Sequence, residues 1–433
     1  MCVSKNVVIQ VGKDEFLLYN PMTKVVDIID EEVAAGLSNL SALPEDAIPL
    51  LERHGHITDE PESERERSAY HEYQEAYTRL SAAVHYYVIP TYNCNMRCIY
   101  CYQKDLRTEK KVISQKMLES FFKVAENNPP RMITLYGGEP LQKMTIPAVA
   151  SLIRFCQKMD YNLSVCTNGL ELKEVAPVEA FSHITVTLDG LAPVHNFRRP
   201  SPRKESFTSV VEAVEYVIKK DVPVTLSINA DLHNIDNLPE FADFLISKGW
   251  HTNPNVSFEL SHIIPPLDKD YPYMVEPLEA ARKMVELYRK YPHMEMFLSS
   301  LKESSPLLSV FFKETEWNPK YWYCGANCYM HFYDPYGYIY PCYMVVGQTP
   351  FAIGRYHPQK EWFPHKKVWR ERNCFTIPEC RECVFSYFCG GGCCYRQYVR
   401  TGSLSGPYCD QLKAAEVYVP FLYNLVTQRG ERL

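Results

Sequence analysis

The stretch HYYVIPTYNCNMRCIYC covers residues 85–101, and the spacing of its cysteines is the most informative feature of the chain. A strand-like apolar run leads directly into Cys94, Cys98 and Cys101, which follow the pattern C-x3-C-x2-C. Three thiolates on one tight loop can bind three irons of a [4Fe–4S] cluster and leave the fourth iron open. The alternative is a zinc loop, but zinc prefers four ligands and no nearby histidine is well placed to complete the set. We therefore expect an iron–sulfur site with an open iron.

Six strand-like runs alternate with helical stretches between His85 and Leu260. The runs are HYYVIPTY, RMITLY, NLSVCT, HITVTLD, VPVTLSIN and NVSFEL. This alternation predicts an α/β fold with a parallel sheet and right-handed crossovers. Six βα units are too few for a closed eight-stranded barrel, so we expect a partial (βα)6 TIM-like barrel, with a doubly wound sheet as the alternative. In both arrangements ligands bind at the carboxyl ends of the strands.

Polar or glycine-containing turns follow the second to fifth strands, at the edge where ligands are expected. The second strand ends in Gly137-Gly138-Glu139-Pro140 and the third in Thr167-Asn168-Gly169. The fourth ends in Thr187-Leu188-Asp189-Gly190, and the fifth carries Ser227 and Asn229 at its end. Glycines allow close backbone approach to a ligand, although a plain βα turn is the simpler interpretation of each motif taken alone.

Together these motifs make residues 85–260 resemble the radical S-adenosylmethionine (SAM) enzymes. The resemblance implies that SAM chelates the open iron and that one-electron reduction yields a 5′-deoxyadenosyl radical, which abstracts hydrogen from the substrate. It implies catalytic roles for the three cysteines and cofactor contacts for Tyr100, Gly137, Gly138, Glu139, Pro140, Thr167, Asn168, Asp189, Ser227 and Asn229. For Asp189, Ser227 and Asn229 a capping role is the equal alternative.

A second group of cysteines lies near the carboxyl end. Ten of the 16 cysteines fall between residues 324 and 409, and none lies between Cys166 and Cys324. The spacings G-x4-C and C-x2-C-x5-C-x3-C, with a later cysteine, resemble the SPASM extension of radical SAM proteins. This resemblance implies two fully ligated [4Fe–4S] clusters, hence three in the chain, with the ligand sets Cys324, Cys328, Cys342, Cys393 and Cys380, Cys383, Cys389, Cys409. Two zinc knuckles are the alternative.

Five cysteines remain outside these ligand sets. Cys156 and Cys166 lie on apolar helix and strand patterns, which favours buried core thiols. Cys394 adjoins Cys393 and can replace it as a ligand, and either Cys374 or Cys394 is a candidate hydrogen donor to a substrate radical, as in epimerases of this superfamily. Cys2 receives no role.

The chain has 433 residues and a formal net charge of −6, which is enough length for two to four domains. We predict an N-terminal module and linker (1–80), a radical SAM barrel (81–260), a helical bridge (261–320) and a SPASM domain (321–433). No apolar run is long enough for a membrane span, and residues 1–16 lack the pattern of a signal peptide. A cytoplasmic protein without membrane or nucleic-acid partners is expected, and its clusters should make it oxygen-sensitive.

The resemblance also implies a polypeptide substrate, because SPASM-bearing enzymes are largely maturases of peptides or proteins. The N-terminal strands and helix resemble a reduced form of the winged-helix domain that binds leader peptides by strand addition. Residues 1–80 hold 7 basic and 16 acidic residues, a net charge of −9 that favours a basic leader. The first hypothesis is a maturase that crosslinks a ribosomally made peptide, with an electron donor such as flavodoxin or ferredoxin. The alternatives are a sulfatase-maturating, formylglycine-generating enzyme, a peptide epimerase, and a non-enzymatic electron-transfer protein.

Overall fold

A computed structural model of the chain describes residues 2–202, 205–264, 266, 271–304, 306–312 and 318–430. Three regions follow one another along the sequence: a small N-terminal module, a parallel sheet with its helices, and a cysteine-rich C-terminal region. Parts of the predicted helical bridge, residues 265, 267–270, 305 and 313–317, lie outside the described residues. Among the described residues, no helix combines the length and the apolar character required to cross a bilayer.

The N-terminal module, residues 2–58, contains a three-stranded antiparallel sheet in the order β2-β3-β4 and a separate pairing of β1 with β5. Its elements are β1 (Cys2–Val3), β2 (Val7–Gln10), β3 (Glu15–Tyr19), β4 (Val26–Asp30), α1 (Glu31–Gly36), α2 (Ile48–Arg53) and β5 (Ile57–Thr58). Asp30 caps α1, since its carboxylate accepts a hydrogen bond from the Val33 amide at 2.8 Å. A small core of its own includes Leu18, Ile29, Val33, Leu51 and Ile57.

The polar end of the segment predicted as an N-terminal module and linker (1–80) forms one long helix, α3 (Glu62–Ala82). Its glutamates, arginines and alanines are good helix formers, so little linker remains. Ala69, Tyr73 and Tyr77 recur at every fourth position and therefore share one face. This face packs against Trp322, with ring centroids 5.8 Å from Tyr73 and 5.5 Å from Tyr77. The helix thus docks onto the cysteine-rich region.

The central sheet contains six parallel strands in sequential order. They are β6 (His85–Val88), β7 (Met132–Leu135), β8 (Leu163–Thr167), β9 (His183–Thr187), β10 (Val224–Ala230) and β11 (Val256–His262). Each coincides with one of the six predicted runs. A doubly wound sheet reverses its strand order at a switch point, and these six strands show no reversal. The prediction of a partial (βα)6 barrel is therefore confirmed, and the doubly wound alternative is excluded.

Amphipathic helices connect the strands and continue into the bridge. They are α4 (Gln115–Asn127), α5 (Ile146–Met159), α6 (Leu172–Val175), α7 (Ala192–Arg198), α8 (Ser206–Lys219), α9 (Leu238–Ser247), α10 (Pro277–Lys290), α11 (Ser299–Ser304) and α12 (Pro306–Ser309). Helix α4 illustrates the pattern: Ser114 caps its first turn, and Leu118, Phe121 and Ala125 face the core. This packing holds the strand ends, and the turns that follow them, in fixed positions.

The C-terminal region extends the central sheet, which sequence analysis did not predict. Its elements are β12 (Met330–Tyr333), β13 (Tyr338–Tyr340), β14 (Gly354–Arg355), β15 (Glu361–Trp362), α13 (His365–Arg370), α14 (Pro378–Arg381), α15 (Ser386–Cys389), α16 (Cys394–Thr401) and α17 (Asp410–Gln428). Strand β12 pairs in parallel with β6, and β13 to β15 follow as antiparallel strands, so one sheet has ten strands. Helix α17 returns to pack on α10, where the rings of Tyr288 and Phe421 stack with centroids 5.6 Å apart.

Candidate functional site

A cavity of about 440 Å³ lies at the carboxyl ends of the parallel strands. Most of the cofactor-site residues expected from the sequence line it, namely Cys94, Cys98, Tyr100, Cys101, Gly137, Gly138, Glu139, Thr167, Asn168, Ser227 and Asn229. Two expected contacts, Pro140 and Asp189, are not among the lining residues. The cavity therefore joins motifs that are as far apart in the sequence as Cys94 and Asn229.

The loop that carries the three cysteines is anchored by its backbone. The amide of Ile99 donates to the carbonyl of Arg198 at 3.0 Å, and the amide of Arg97 donates to the carbonyl of Pro200 at 2.8 Å. The guanidinium of Arg107 donates to the carbonyl of Cys98 at 3.2 Å. These contacts tie the loop to the segment that follows α7, so the thiols are presented from a supported backbone.

The three thiols are buried, and as thiolates they need a positive charge nearby to be stable. Burial raises the pKa of each thiol, to about 11 for Cys101; neighbouring thiols add to this effect at Cys94 and Cys101, and the Asp189 carboxylate adds to it at Cys98. At Cys98 the guanidinium groups of Arg199 and Arg107 oppose it. Thiolates in such a place are stabilised when a metal centre supplies the missing charge. The donor set therefore fits an iron–sulfur cluster held by three cysteines.

The separation of the thiols also bears on the zinc alternative. Tetrahedral zinc with bonds of about 2.3 Å holds its sulfur ligands about 3.8 Å apart. Within the described ranges, no three cysteines bring their sulfur atoms within 4.8 Å of one another. No cysteine group of the described residues therefore holds three sulfur atoms at the close spacing of a single zinc ion.

The Gly137-Gly138 turn packs closely against the backbone that leaves β6. Gly137 has φ of +123°, and a Cβ on Gly138 would lie 2.2 Å from the carbonyl oxygen of Tyr92. The amide of Gly138 donates to the Thr91 carbonyl at 3.2 Å. These glycines are needed for contact with the protein's own backbone, in addition to any approach to a ligand.

Glu139 links two of the predicted turns. Its buried carboxylate accepts hydrogen bonds from the Thr167 hydroxyl and the Asn168 amide, both at 2.6 Å, and from the Leu141 amide at 2.9 Å. Burial raises the pKa of Glu139 to about 7, although these donors favour the carboxylate. Asn168 in turn donates to Asn95 at 2.7 Å. Glu139 thus holds the second and third strand ends against the cysteine loop.

Asp189 occupies a buried ion network instead of a cap or a cavity contact. Its carboxylate accepts from the Tyr100 hydroxyl at 2.5 Å and from the Asn229 amide at 2.9 Å, and it lies 3.5 Å from the Arg198 guanidinium. Burial opposes its ionisation, but Arg198 and Arg199 hold the pKa of Asp189 below its usual range. The structure thus places Asp189 outside the cavity lining, where it positions Tyr100 and Asn229.

Arg199 is a cavity residue that sequence analysis missed. Its guanidinium donates to the Tyr100 hydroxyl at 2.5 Å, and its side chain lies beside the Cys98 thiol. The buried Nε of Arg199 has no hydrogen-bond partner among the described residues. An anionic group in the cavity would satisfy this nitrogen. The adjacent arginines of the FRRP segment, directly after the Asp189 turn, were the available sequence signal.

Glu259 and His262, at the end of β11, also line the cavity and were not predicted. Burial lowers the pKa of His262 to about 4, with a further contribution from Arg396, so its imidazole is neutral. Its Nδ1 atom has no partner within the described part of the chain. The alternation in FELSH was the available signal, but these residues stand at the border of the Pro-rich segment that was assigned to the bridge.

The two thiols predicted to be core residues have different environments. Cys156 is buried in the hydrophobic core, as expected. Cys166 lines the cavity instead, close to Tyr87 and Tyr136, whose pKa values its thiol helps to raise. Its position on β8 explains the difference, because alternate residues of a barrel strand face the interior. Cys166 is therefore corrected from a core thiol to a cavity residue.

The C-terminal cysteines form two groups. Burial raises the pKa of Cys342 well above its ordinary value, and the thiols of Cys324, Cys393 and Cys394 contribute. The second group surrounds Cys380. Burial is the main cause of the raised pKa of the Cys380 thiol, and the nearby thiols of Cys389, Cys383 and Cys409 raise it further. Cys374 lies next to Cys380 and Cys389. The structure therefore brings together all four members of the second predicted set and three members of the first.

Cys328 is the predicted ligand that does not join its group. Its sulfur lies 3.8 Å from the carbonyl oxygen of Tyr77 on α3, and Arg370 is its charged neighbour. Cys394 lies next to Cys324 and Cys393. The spacing C-x3-C could not reveal this, because it says nothing of contacts with distant residues such as Tyr77 on α3.

The first C-terminal group adjoins the cavity. Tyr343 follows Cys342 and lines the cavity, and its ring lies 5.8 Å from that of Tyr102 in the cysteine loop. Tyr102 donates to the hydroxyl of Tyr136 at 3.0 Å. These three tyrosines line the cavity and form an aromatic wall between the three-cysteine loop and the Cys342 group.

Comparison with known proteins agrees with this geometry. Residues 88–245 match the family model of the Radical SAM superfamily. An uncharacterised protein of Archaeoglobus fulgidus is 23% identical over 354 residues, which covers 76% of this chain and 78% of that protein. A probable GTP 3′,8-cyclase of Saccharolobus islandicus is 25% identical over 168 residues, 37% of this chain and 52% of the cyclase. The alignment with the cyclase therefore spans about half of that enzyme.

Two solved structures share the fold at low sequence identity. Native anSMEcpe with bound AdoMet and Cp18Cys peptide aligns with a TM-score of 0.60 at 16% identity, covering 79% of this chain and 99% of that one. Streptococcus suis SuiB bound to precursor peptide SuiA aligns with a TM-score of 0.52 at 15% identity, covering 94% and 98%. The likeness to SuiB extends over nearly the whole chain, including the N-terminal module.

Proposed function

We propose that the protein is a radical SAM enzyme that acts on a ribosomally made peptide, in which it forms a carbon–carbon or thioether crosslink. In this proposal Cys94, Cys98 and Cys101 hold a [4Fe–4S] cluster. When bound, the cluster and SAM supply a 5′-deoxyadenosyl radical that abstracts hydrogen from the substrate. Residues of the chain bind and orient both partners and exclude water from the site.

The roles of the SAM-facing residues follow from their positions. We assign the turns Gly137 to Pro140 and Thr167 to Gly169 to the amino acid end of SAM, because Glu139 holds both turns against the cysteine loop. Arg199, with its unpartnered Nε, is assigned to the SAM carboxylate. Ser227 and Asn229, which line the cavity on β10, are assigned to the ribose.

The observation that carries the proposal is the shared cavity. One space of about 440 Å³ is bordered by the three-cysteine loop, by the aromatic wall beside Cys342, and by Glu259 and His262. Electron transfer to a further cluster beside the substrate suits an oxidative crosslink, in which the substrate loses hydrogen overall. We assign two such clusters to the C-terminal cysteines, and we assign reduction of the cluster held by Cys94, Cys98 and Cys101 to a donor of the flavodoxin or ferredoxin type.

The N-terminal module supplies a surface for a leader peptide. Strand β4 is an edge strand, since it pairs with β3 alone within the described residues. A groove of about 550 Å³ lies between the sheet and α1, with Val8 and Phe16 on the sheet side. Peptides add to such edges through main-chain hydrogen bonds. SuiB, which shares the fold over this module, was solved with its precursor peptide bound.

Mass spectrometry of a candidate precursor tests the proposal. After anaerobic incubation with reconstituted enzyme, SAM and reductant, we expect the core peptide to lose two hydrogen atoms and to gain a bond that tandem fragmentation locates. Neutralising the lysines and arginines of the leader should weaken binding, because residues 1–80 have a net charge of −9. A product of unchanged mass with an inverted residue would point to epimerisation and contradict crosslinking.

Formylglycine formation is the second candidate, and one observation favours it. This reaction requires a group that removes a proton near the substrate, and the Glu259 carboxylate lines the cavity. A sulfatase-derived peptide with serine or cysteine at the target position should then acquire an aldehyde, which hydrazide labelling detects. Labelling of that peptide, without crosslinking of any precursor, would replace the first proposal with this one.

Iron content tests the ligand set of the first C-terminal cluster. Three four-iron clusters correspond to about 12 iron atoms per chain. We expect Cys328→Ala to retain this content, because its thiol faces Tyr77, whereas the matched variant Cys342→Ala should lose about four iron atoms. Equal loss of iron in both variants would restore Cys328 to the ligand set.

A further inference from the structure

Two histidines and an aspartate converge in the N-terminal module, away from the cavity. Asp27 lies on β4, and His54 and His56 flank Gly55 in the turn between α2 and β5. The Asp27 Oδ2 atom lies 2.6 Å from His54 Nδ1 and 2.8 Å from His56 Nε2. Among the described residues, these form the one group of three potential metal ligands whose ligand atoms all lie within 4.8 Å of one another.

The turn that carries the histidines is held from several sides. The carbonyl of Gly55 accepts from the Ser4 hydroxyl at 2.7 Å and from the Asn20 amide group at 2.6 Å. The carbonyl of His54 accepts from the Thr23 hydroxyl at 2.9 Å. Gly55 has φ of +75°, a conformation that glycine adopts readily. The two imidazoles are therefore set in place before any ligand arrives.

The orientation of His56 is fixed by a second residue. The side-chain amide of Asn6 donates to the His56 carbonyl at 2.7 Å, which directs the Asn6 Oδ1 atom toward His56 Nδ1 at 3.1 Å. Because Oδ1 is an acceptor, Nδ1 carries the hydrogen, and in the neutral ring the Nε2 lone pair points at the Asp27 carboxylate. Metal-binding histidines have this arrangement, in which the second nitrogen donates to a polar oxygen.

Two acceptors that face each other at 2.8 Å are satisfied by a proton or by a metal ion between them. We propose that Asp27, His54 and His56 bind a divalent transition-metal ion, for which zinc is the natural probe. Two imidazoles and one carboxylate form a donor set typical of zinc and iron(II) sites that keep an open position. The buried His56 side chain lies on the inner side of the site. The His54 and Asp27 side chains are 28% and 16% exposed, so the outer side is open to solvent.

Small movements convert the present geometry into a coordination site. Metal bonds of about 2.1 Å place neighbouring ligand atoms roughly 3.3 Å apart, so Asp27 and His54 need to move outward by about 0.5 Å. Both side chains are partly exposed and can do so. The ion would join β4, the edge strand, to the turn that precedes β5. The site shares no residue with the cavity, so zinc binding does not depend on the proposed reaction, although Asp27 lies on the edge strand assigned to the leader.

Zinc binding by the full-length protein tests the site. The protein is first reconstituted with iron and sulfide, so that its cysteines are occupied, and is then treated with zinc and desalted. We expect about one zinc per chain, with X-ray absorption showing nitrogen and oxygen neighbours near 2.0 to 2.1 Å and no sulfur shell near 2.3 Å. Zinc should also raise the melting temperature.

Variants separate this site from other zinc-binding groups. His54→Gln and Asp27→Asn should weaken zinc binding at least tenfold, while His71→Gln, an exposed histidine on α3, should bind zinc as the wild type does. Circular dichroism and iron content check that the variants fold. Absence of bound zinc in the wild type overturns the proposal and leaves a proton between His56 and Asp27. A sulfur-rich zinc shell that persists in His54→Gln overturns it as well.

Discussion

Replacement of Cys94, Cys98 and Cys101 by alanine is expected to abolish formation of 5′-deoxyadenosine from SAM. The three thiols line one cavity, and no other cysteine group within the described residues shares their loop. Without them the cluster has no ligands, so the reductive chemistry is lost completely and not merely slowed. Chromatography of anaerobic reactions with reductant measures the product, and the variant should contain about four fewer iron atoms per chain than the wild type.

Cys156→Ala provides the matched control. This thiol is buried in the core of the same barrel but does not line the cavity, so the variant should keep its iron content and its SAM cleavage. Cleavage of SAM by the triple variant at a rate near that of wild type would refute the assignment of the open-iron site. Cys166, which does line the cavity, is unsuitable as a control for this reason.

Arg198→Met is expected to produce the largest loss of stability among single substitutions near the site. The Arg198 side chain is completely buried between the carboxylates of Asp189 and Asp231, and it donates to the Asn229 carbonyl at 2.6 Å. It also lies over the Tyr100 ring, 4.9 Å from its centroid. Removal of the guanidinium leaves the buried Asp231 carboxylate without its cation and Asp189 with Arg199 as its remaining arginine neighbour.

Breaking a buried ion pair by removal of one partner costs about 3 to 5 kcal/mol. The unfolding transition of the variant should move to a clearly lower temperature or urea concentration than that of wild type. The pKa of Asp189 should rise, because Arg198 now contributes to holding it low. Weaker SAM binding should accompany these changes, since Tyr100 and Asn229 lose their support. Differential scanning calorimetry on the iron-free and reconstituted protein measures the effect on folding.

An exposed ion pair serves as the comparison for Arg198. Lys220 contacts Glu179 at 2.7 Å on the surface, where water screens the charges, so Lys220→Ala should leave the transition unchanged within error. Similar melting behaviour of Arg198→Met and Lys220→Ala would show that the buried network does not stabilise the barrel. A normal melting transition with lost SAM binding would instead show that Arg198 supports SAM binding without stabilising the fold.

Periodicity and spacing were sufficient to predict the barrel. All six strands lie where alternating apolar runs predicted them, because burial on the pleated face of a sheet leaves a local signature in the sequence. The cysteine loop and the turns after β7 and β8 were also identified, because each of these motifs is formed by residues that are close together in the sequence. Helix α3 was only partly predicted: its polar composition concealed a stripe of Ala69, Tyr73 and Tyr77 that packs on the cysteine-rich region.

The sequence by itself determined which residues can do chemistry here: three cysteines on one loop, eight more with regular spacings, and glycine-rich turns after successive strands. Only the tertiary structure decided where these side chains point. It turned Cys328 toward Tyr77, brought Cys166 into the cavity, buried Asp189 with Arg198, and joined Asp27 to His54 and His56. The physical reason is that spacing along the chain constrains only near neighbours, whereas contacts between distant residues depend on the packing of the whole fold.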